Sequence, residues 1–188
     1  AVELNPLLSW EVNVLTSQKI ANLSVKNGIQ SLLFASSGSV YGLSDKDRVT
    51  EDEELVPISE YNKTKMIAER VFLSYQNNMK IYCIRPATVC GVSPRMRLDV
   101  SVNILTYSAL KNKVIRVFGG NQIRPNIHIE DICAVYEFFL ENDFASGCYN
   151  AGFENISILD IAKLVKKKLS DVEIVIEDSN DPRSYRQC

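Results

Sequence analysis

Residues 29–42 read IQSLLFASSGSVYG, a short apolar run followed by a turn of serine and glycine. A run of this length and composition is typical of a strand buried on both faces of a parallel sheet. Amphipathic spacing between Leu7 and Val25 predicts a helix before it, and Gly28 ends that helix. The stretch therefore predicts an α/β fold with SSGSVYG at the carboxyl end of a strand, where open sheets bind ligands.

The alternation of strands and helices continues to the end of the chain. It predicts a doubly wound parallel sheet with a smaller appended region, and a polar loop over residues 42–59. Further predicted helices are 60–76, 98–111, 130–142 and 157–169, and the predicted strands are 29–35, 80–84, 114–118, 124–129, 148–151 and 172–177.

The composition excludes several classes of protein. With 188 residues, 46% of them hydrophobic and a net charge of −2, the chain has the make-up of a globular protein and no basic face for nucleic acid. Five scattered cysteines form neither a metal-ligand nor a disulfide pattern, so we expect reduced thiols and no metal. No apolar run is long enough to span a bilayer, and no signal peptide is evident, so we expect a cytoplasmic protein.

Tyr61 and Lys65 follow at the start of the next predicted helix. A spacing of four residues places the phenol and the ammonium on one face, where the cation stabilises a phenolate and makes Tyr61 a usable base. A lone Tyr-x-x-x-Lys pair also arises by chance, and a serine run after a strand is more often a plain loop. The prediction of a proton-transfer site depends on the two features occurring together, in this order.

Four segments follow one another along the chain: FASSGSVYG (34–42), TEDEELVPISEYNKTK (50–65), IRPATVCGV (84–92) and RPNIHIED (124–131). In order and spacing they resemble segments of the extended short-chain dehydrogenase/reductases, the NAD-dependent epimerase/dehydratase family. The resemblance implies a truncated Rossmann-like doubly wound sheet with a small C-terminal substrate-binding region. Residues 1–92 would be the later part of the NAD-binding domain, and residues 93–188 mostly the substrate-binding region, with about 125–151 returning to the Rossmann sheet.

The resemblance also implies roles for individual residues. Ser37 would bond the reacting oxygen of a nucleotide sugar, and Tyr61 would take or return its proton. Lys65 would hold the nicotinamide ribose and lower the pKa of Tyr61. The cofactor would be NAD, with NADP left open. Asn13, Ser36, Tyr61, Lys65 and Ala87 would contact the cofactor, and Ser37, Thr88, Arg124 and Arg183 the substrate.

Departures from the family pattern narrow the reaction. Gly38 and Ser39 stand where the family's dehydratases carry an Asp-Glu pair, which disfavours dehydration. Epimerase and keto-sugar reductase remain open, and the SSGSVYG segment favours epimerase. A non-catalytic relative that binds a cofactor or a partner is a further alternative.

A second departure concerns the cofactor. The sequence contains no GxxGxxG turn, which the family uses to hold the cofactor's pyrophosphate. We therefore expect the chain to be part of a longer enzyme that is homodimeric in full-length form. Alone, it should bind NAD weakly or not at all.

Overall fold

The computed structural model describes residues 5–44, 46 and 48–178. Within them the chain forms two compact units. The first comprises the residues up to Gly42, Val49–Pro86 and Ile132–Ala151. The second comprises Leu43–Arg48, Ala87–Asp131 and the residues from Gly152 onward.

Helices and strands alternate along the described chain, as the sequence predicts. A π-helical segment (Glu11–Leu15) joins the first two helices, and a short 3-10 helix (Gly38–Tyr41) follows the first strand. The helices are α1 (Pro6–Trp10), α2 (Thr16–Lys26), α3 (Glu60–Leu73), α4 (Ser101–Asn112), α5 (Ile129–Glu141) and α6 (Ile158–Lys168). The strands are β1 (Ser31–Ala35), β2 (Lys80–Pro86), β3 (Thr88–Cys90), β4 (Val114–Phe118), β5 (Ile123–His128), β6 (Gly147–Ala151), β7 (Glu154–Ser157) and β8 (Glu173–Glu177).

The first unit contains a parallel sheet in the order β1-β2-β6. Phe34 of β1 lies opposite Cys83 of β2, which lies opposite Cys148 of β6. Because the strands are parallel, their carboxyl ends share one edge, and the serine turn after β1 lies at that edge. This arrangement confirms the predicted α/β class with parallel strands.

Apolar side chains hold the helices against this sheet. Ala21 of α2 and Phe72 of α3 form one buried cluster with Met79, Ile81 and Cys83. The rings of Phe34 and Phe72 contact each other at a centroid distance of 4.8 Å. The apolar stripe of α3 therefore fixes the helix on the sheet, and its first two turns carry Tyr61 and Lys65.

The second unit contains two smaller sheets. One has the order β3-β5-β7, with β3 parallel and β7 antiparallel to β5, and the other pairs β4 with β8 in parallel. A core cluster packs α4 and α6 on β4, and its buried members include Leu105, Ile115, Val117 and Ile161. Ser157 caps α6 through the backbone N–H of Asp160, so the helix begins where the sequence predicts.

The structure contains two strands that the sequence does not predict, and it shows which sheet β5 joins. Strands β3 and β7 are three and four residues long. Because they are too short to show a pattern of apolar residues, neither is predicted from the sequence. The predicted strand 124–129 corresponds to β5, which pairs with β3 and β7 in the second unit. The chain leaves the first unit at Pro86 and re-enters it at Ile132. The division of the chain into an NAD-binding domain and a substrate-binding region stays a prediction.

Candidate active site

The turn after β1 is shaped by the close approach of neighbouring backbone. Ser37 is extended and caps the 3-10 helix, accepting a hydrogen bond from the backbone N–H of Ser39 at 3.2 Å. A Cβ on Gly38 would lie 3.2 Å from the carbonyl oxygen of Pro86. Gly42 has φ 74°, and a Cβ there would lie 2.1 Å from the carbonyl oxygen of Val56. The two glycines let the turn fold tightly and hold Ser37 at the end of the strand.

Helix α3 brings Tyr61 and Lys65 to the same end of β1. The Lys65 ammonium donates a hydrogen bond to the carbonyl oxygen of Ala35 at 2.9 Å. It lies 5.8 Å from the ring centroid of Tyr61 and 4.8 Å from that of Phe34. Tyr61 itself is 37% exposed, so its ring can meet a ligand. The predicted pairing of a phenol with a cation is thus present in the first unit.

Partial burial changes the acidity of Lys65. Burial lowers the pKa of its ammonium, and the nearby Glu69 carboxylate opposes that shift. A poorly solvated cation interacts more strongly with a neighbouring phenolate than a fully hydrated one does. The environment of Lys65 therefore suits the role of stabilising negative charge on Tyr61.

A buried ion pair anchors α3 to the sheet behind these residues. Glu69 and Arg85 are 1% and 5% exposed, and they form a bidentate pair with both N···O distances at 2.8 Å. The Ser36 hydroxyl donates to the same carboxylate at 2.5 Å. Burial disfavours the charged form of Arg85, but the hydrogen bonds to Glu69 and Tyr41 and the negative charge of Glu69 together raise its pKa. Ser36 is thus tied to the interior of the unit.

The hydrogen-bond network of Glu69 and Arg85 continues through Tyr41 to the polar loop of residues 42–59. Arg85 donates to the Tyr41 hydroxyl at 2.6 Å, and that hydroxyl donates to Asn150 Oδ1 at 2.8 Å. The backbone N–H of Asn150 donates to the Glu51 carboxylate at 2.7 Å. Burial raises the pKa of Tyr41, although Arg85 opposes the shift. Hydrogen bonds therefore join the loop before α3 to β6, and β6 in turn to the turn that carries Ser37.

Asn13 lies in the π-helical segment and contacts α3. Its side-chain amide donates to Thr64 Oγ1 at 3.0 Å, and that hydroxyl donates to the carbonyl oxygen of Tyr61 at 2.9 Å. Trp10 donates to the Glu60 carboxylate at 3.1 Å nearby. Single π-helical turns are frequent at functional sites. Asn13 is half-buried beside the predicted catalytic helix, and its contact with a cofactor stays a prediction.

Three of the predicted ligand-contacting residues belong to the second unit. Ala87 and Thr88 lie at the start of β3, and Thr88 is the register partner of Asn126 on β5. Arg124 lies two residues earlier on β5, half-buried, and donates to the carbonyl oxygen of Ile123 at 2.9 Å. Arg183 lies outside the described residues. The roles of these four residues in binding stay predictions.

The residues that support the turn are not predicted from the sequence. Glu69 lies in none of the four segments, but it follows Lys65 by four residues on the face of α3 that meets the sheet. Arg85 lies in the segment IRPATVCGV (84–92) without a predicted role, next to the apolar residues of β2, where a charge needs a buried partner. The positions of Glu69 and Arg85 were therefore the signal from which their pairing could have been predicted. Asn62 gave none, since its position next to Tyr61 predicts only a place in the first turn of a helix.

Lys65 and Tyr61 place an ammonium and a phenol near the end of β1, and the amide of Asn13 contacts the same helix through Thr64. An ammonium, an amide and a phenol are all groups that hydrogen-bond hydroxyls. Among the described residues, no cluster of three His, Cys, Asp or Glu side chains could hold a metal ion. No helix in the described part of the chain is both long and apolar enough to cross a membrane.

The fold and the site define a class: a Rossmann-type α/β protein with a Ser/Tyr/Lys constellation at the carboxyl end of a parallel strand. A sequence model of the "NAD dependent epimerase/dehydratase family" matches residues 3–152. The chain belongs to this family, which confirms the resemblance drawn from its four segments.

Individual relatives are similar at low identity. The chain is 30% identical over 159 residues to an uncharacterized UDP-glucose epimerase, YtcB, of Bacillus subtilis, covering 82% of this chain and 49% of the relative. The chain spans about half the length of the curated relatives it matches.

Solved structures show the same fold. A Bacillus cereus UDP-glucuronic acid 4-epimerase mutant in complex with UDP-4-deoxy-4-fluoro-glucuronic acid and NAD is 26% identical, with a TM-score of 0.80 over 93% of this chain and 57% of that one. A UDP-N-acetylglucosamine 4-epimerase from Methanobrevibacter ruminantium M1 reaches a TM-score of 0.87 at 21% identity, over 99% of this chain and 62% of that one. The second likeness concerns the fold alone.

Proposed function

We propose that the chain is the catalytic part of an NAD-dependent nucleotide-sugar epimerase. The observation that carries the proposal is the position of Lys65, half-buried, bonded to the end of β1 and 5.8 Å from the ring of Tyr61. This is the arrangement that a tyrosine base needs at neutral pH. Membership of the family and the similarity to 4-epimerases support the same reaction.

The chemistry assigned to the chain is proton transfer. When bound, NAD supplies a hydride acceptor and donor for the reacting sugar carbon. Tyr61, as phenolate, takes the proton of the sugar hydroxyl, and the Lys65 ammonium stabilises the negative charge before that step. After the keto sugar has turned its other face, Tyr61 returns the proton to the oxygen. Ser37 bonds that oxygen and keeps it beside Tyr61.

The proposed cofactor contacts and substrate contacts involve different residues. The cofactor contacts are Asn13, Ser36, Tyr61, Lys65 and Ala87, and the Ser36 hydroxyl also fixes the turn by donating to Glu69. The substrate contacts are Ser37, Thr88, Arg124 and Arg183. A guanidinium such as that of Arg124 suits a diphosphate, because its donors match the oxygens in pairs. We assign residues 1–92 to the NAD-binding domain and residues 93–188 mostly to the substrate-binding region, with about 125–151 returning to the Rossmann sheet.

A keto-sugar reductase is the second candidate, since it uses the same three residues. In an epimerase the sugar gives a hydride to NAD and takes it back, whereas a reductase adds a hydride from NADH to a ketone. Two incubations of the complete gene product that carries this chain test the difference, one with NAD and UDP-glucose and the other with NADH and a UDP-4-keto sugar. An epimerase isomerises UDP-glucose without net change in NADH. Stoichiometric consumption of NADH with the keto sugar, and no isomerisation of UDP-glucose, would establish the reductase instead.

We further propose a cytoplasmic homodimer. Several apolar side chains of α1, α2 and the segment between them are exposed, among them Leu7 at 77% and Leu23 at 57%. Several exposed apolar side chains on neighbouring helical segments are typical of an interface between subunits. Sedimentation equilibrium of the complete gene product should give twice the protomer mass. A monomer across the micromolar range would contradict the dimer.

A non-catalytic relative that only binds a cofactor or a partner is the remaining alternative. The presence of Ser37, Tyr61 and Lys65 together argues against it, because a protein that only binds has no need of a phenol paired with a cation. Such a relative would bind the nucleotide sugar and leave it unchanged over hours with NAD present.

A further inference from the structure

Two cysteines lie opposite each other in the parallel sheet of the first unit. Cys83 of β2 and Cys148 of β6 are register partners, and both side chains pack in the apolar cluster between this sheet and helices α2 and α3. Neighbouring strands lie about 4.8 Å apart, and a disulfide joins residues whose Cα atoms are about 4.4–6.8 Å apart. The pairing of β2 with β6 therefore brings the two sulfur atoms within reach of a covalent bond.

The two thiols differ in exposure and in acidity. Cys83 is fully buried, at 0% exposure, whereas Cys148 is partly exposed. A hydrogen bond from Cys83 lowers the pKa of Cys148, although partial burial and Glu69 oppose the shift. The same hydrogen bond and burial raise the pKa of Cys83. Because the thiolate is the form that reacts with oxidants, Cys148 is the thiol that an oxidant attacks first.

Two other cysteines of the described chain lack this arrangement. Cys90 is half-buried on a short strand, like Cys148, but its register partner is His128. It donates to the carbonyl oxygen of Ile127 at 3.5 Å, and burial raises its pKa. Cys133 is exposed on α5. Cys90 and Cys133 therefore serve as comparisons for the pair formed by Cys83 and Cys148.

We propose that Cys83 and Cys148 form a reversible thiol–disulfide pair, in which a peroxide oxidises Cys148 first and Cys83 then closes the disulfide. The Cys148 thiolate attacks one oxygen of hydrogen peroxide and the O–O bond breaks, which gives a sulfenic acid and a hydroxide that takes up a proton. The Cys83 sulfur then attacks the sulfenic sulfur. An S–S bond forms, the S–O bond breaks, and the proton of Cys83 leaves with the hydroxide as water. Two thiols lose two electrons and two protons, and one peroxide becomes two water molecules.

The first step prepares the second. The negative charge of Cys148 is one of the causes that raise the pKa of Cys83, and it disappears when Cys148 becomes an uncharged sulfenic acid. Cys83 then loses its proton more readily and attacks. A sulfenic acid without a neighbouring thiol is oxidised further to irreversible products. The pair thus converts a damaging oxidation into one that a thiol can reverse, and the reduced pair is the resting form.

The test detects the bond between two tryptic peptides. Peptides 81–95 and 117–163 carry the pair, and each contains one further cysteine. The complete gene product is therefore prepared with Cys90→Ser and Cys133→Ser, which leaves one cysteine in each peptide and the pair intact. After hydrogen peroxide and alkylation in denaturant, mass spectrometry should find the two peptides linked, with a loss of two hydrogen atoms. Dithiothreitol should separate them and restore both thiols.

Variants of the pair separate the two roles. In the same background, Cys83→Ala removes the second thiol, so the sulfenic acid of Cys148 should persist and be trapped by dimedone. Excess peroxide should then oxidise that sulfur irreversibly. Cys148→Ala leaves only the buried thiol, which should remain alkylatable in denaturant after the same treatment. A merely structural role for the two side chains predicts no adduct in either variant.

Each outcome decides the inference without any measurement of sugar turnover, so the proposed function is tested separately. A link between the two peptides within one chain, reversed by dithiothreitol, supports the inference. Absence of the link in folded protein, or links that form only between two copies of the chain, overturns it. A dimedone adduct on Cys83 in the Cys148→Ala variant also overturns it, because Cys83 would then be the residue that the oxidant attacks first.

Discussion

Gly42 closes the turn that carries Ser37, and its backbone is available to glycine alone. Its φ of 74° and ψ of −127° lie outside the regions that residues with a Cβ adopt readily. The carbonyl oxygen of Val56 occupies the space that a Cβ would need. At the scale of single residues, the turn therefore depends on this glycine as much as on the serines.

Replacing Gly42 should destabilise the protein far more than replacing another glycine of positive φ. Gly42→Ala combines backbone strain with a contact of 2.1 Å to Val56, and we expect a loss of about 3 kcal/mol or more in the free energy of unfolding. Gly28→Ala is the matched control, because Gly28 has φ 68° and nothing within 4 Å of its Cβ position. That change should cost about 1 kcal/mol. Equal urea midpoints for the two variants would contradict this account.

Single residues also mark the limit of what the sequence could predict. Tyr61 and Lys65 were predictable because their spacing on a helix determines that they share a face. The partner of Ser39 was not, since Asn62 lies 23 positions away and only the packing of α3 on the turn brings the two together. The bidentate contact of Glu69 with Arg85 has the same origin, because it joins a helix to a strand across the core.

At the scale of elements, α3 is held by a buried ion pair and by its cap. Taking two charges out of water is costly, and the bidentate geometry of Glu69 and Arg85 offsets that cost only while both partners are present. The cap by Ser59 satisfies one of the backbone N–H groups that every helix leaves unpaired at its start. The ion pair and the cap both stabilise the helix that positions Tyr61.

Breaking the buried pair should be severe. Glu69→Gln leaves the Arg85 guanidinium 5% exposed without a countercharge, and we expect a loss of about 3–5 kcal/mol in unfolding free energy. Asp143→Asn is the control within the same unit. It breaks a surface pair with Lys80 whose side chains are 77% and 47% exposed, and it should cost at most about 1 kcal/mol. Chemical denaturation measures both, and a loss under about 1 kcal/mol for Glu69→Gln would refute the role of the pair.

Removing the cap of α3 should have a smaller, separable effect. Ser59→Ala deletes the acceptor for the backbone N–H of Asn62 and should lower stability by about 1 kcal/mol. Ser59→Asp keeps a good capping group and should leave stability close to that of the wild type. Thermal melts of the two variants check the prediction. If both lose the same stability, the hydroxyl of Ser59 does not act as the cap.

The elements themselves were largely predictable, but their pairing was not. Strands β1, β2 and β4 have long enough apolar runs, and α3 and α6 have apolar stripes and caps that the local sequence shows. Strands β3 and β7 are too short for a pattern to appear. The sheet that β5 joins depends on its distant partners β3 and β7, which alternation along the chain does not specify.

At the scale of the whole molecule, the sequence lacks the glycine turn through which the family holds the pyrophosphate of its cofactor. The cofactor contact proposed for Lys65 is with the nicotinamide ribose, at the other end of the cofactor from that turn. Because the pyrophosphate contributes much of the charge recognised at a helix N-terminus, we expect the 188-residue chain to bind NAD with a dissociation constant of about 1 mM or weaker. Calorimetric titration of the chain with NAD measures this, and sub-millimolar binding would contradict the expectation.

The central claim is that Tyr61 is the proton-transferring residue of a nucleotide-sugar epimerase, and one measurement tests it most directly. The complete gene product that carries this chain is incubated with NAD and UDP-glucose, alongside Tyr61→Phe, and the isomer formed is quantified. Because phenylalanine keeps the ring and removes the ionisable group, the account predicts isomerisation by the wild type and a fall of at least about 100-fold in the variant, with an unchanged melting temperature. Isomerisation by Tyr61→Phe at the rate of the wild type would contradict it.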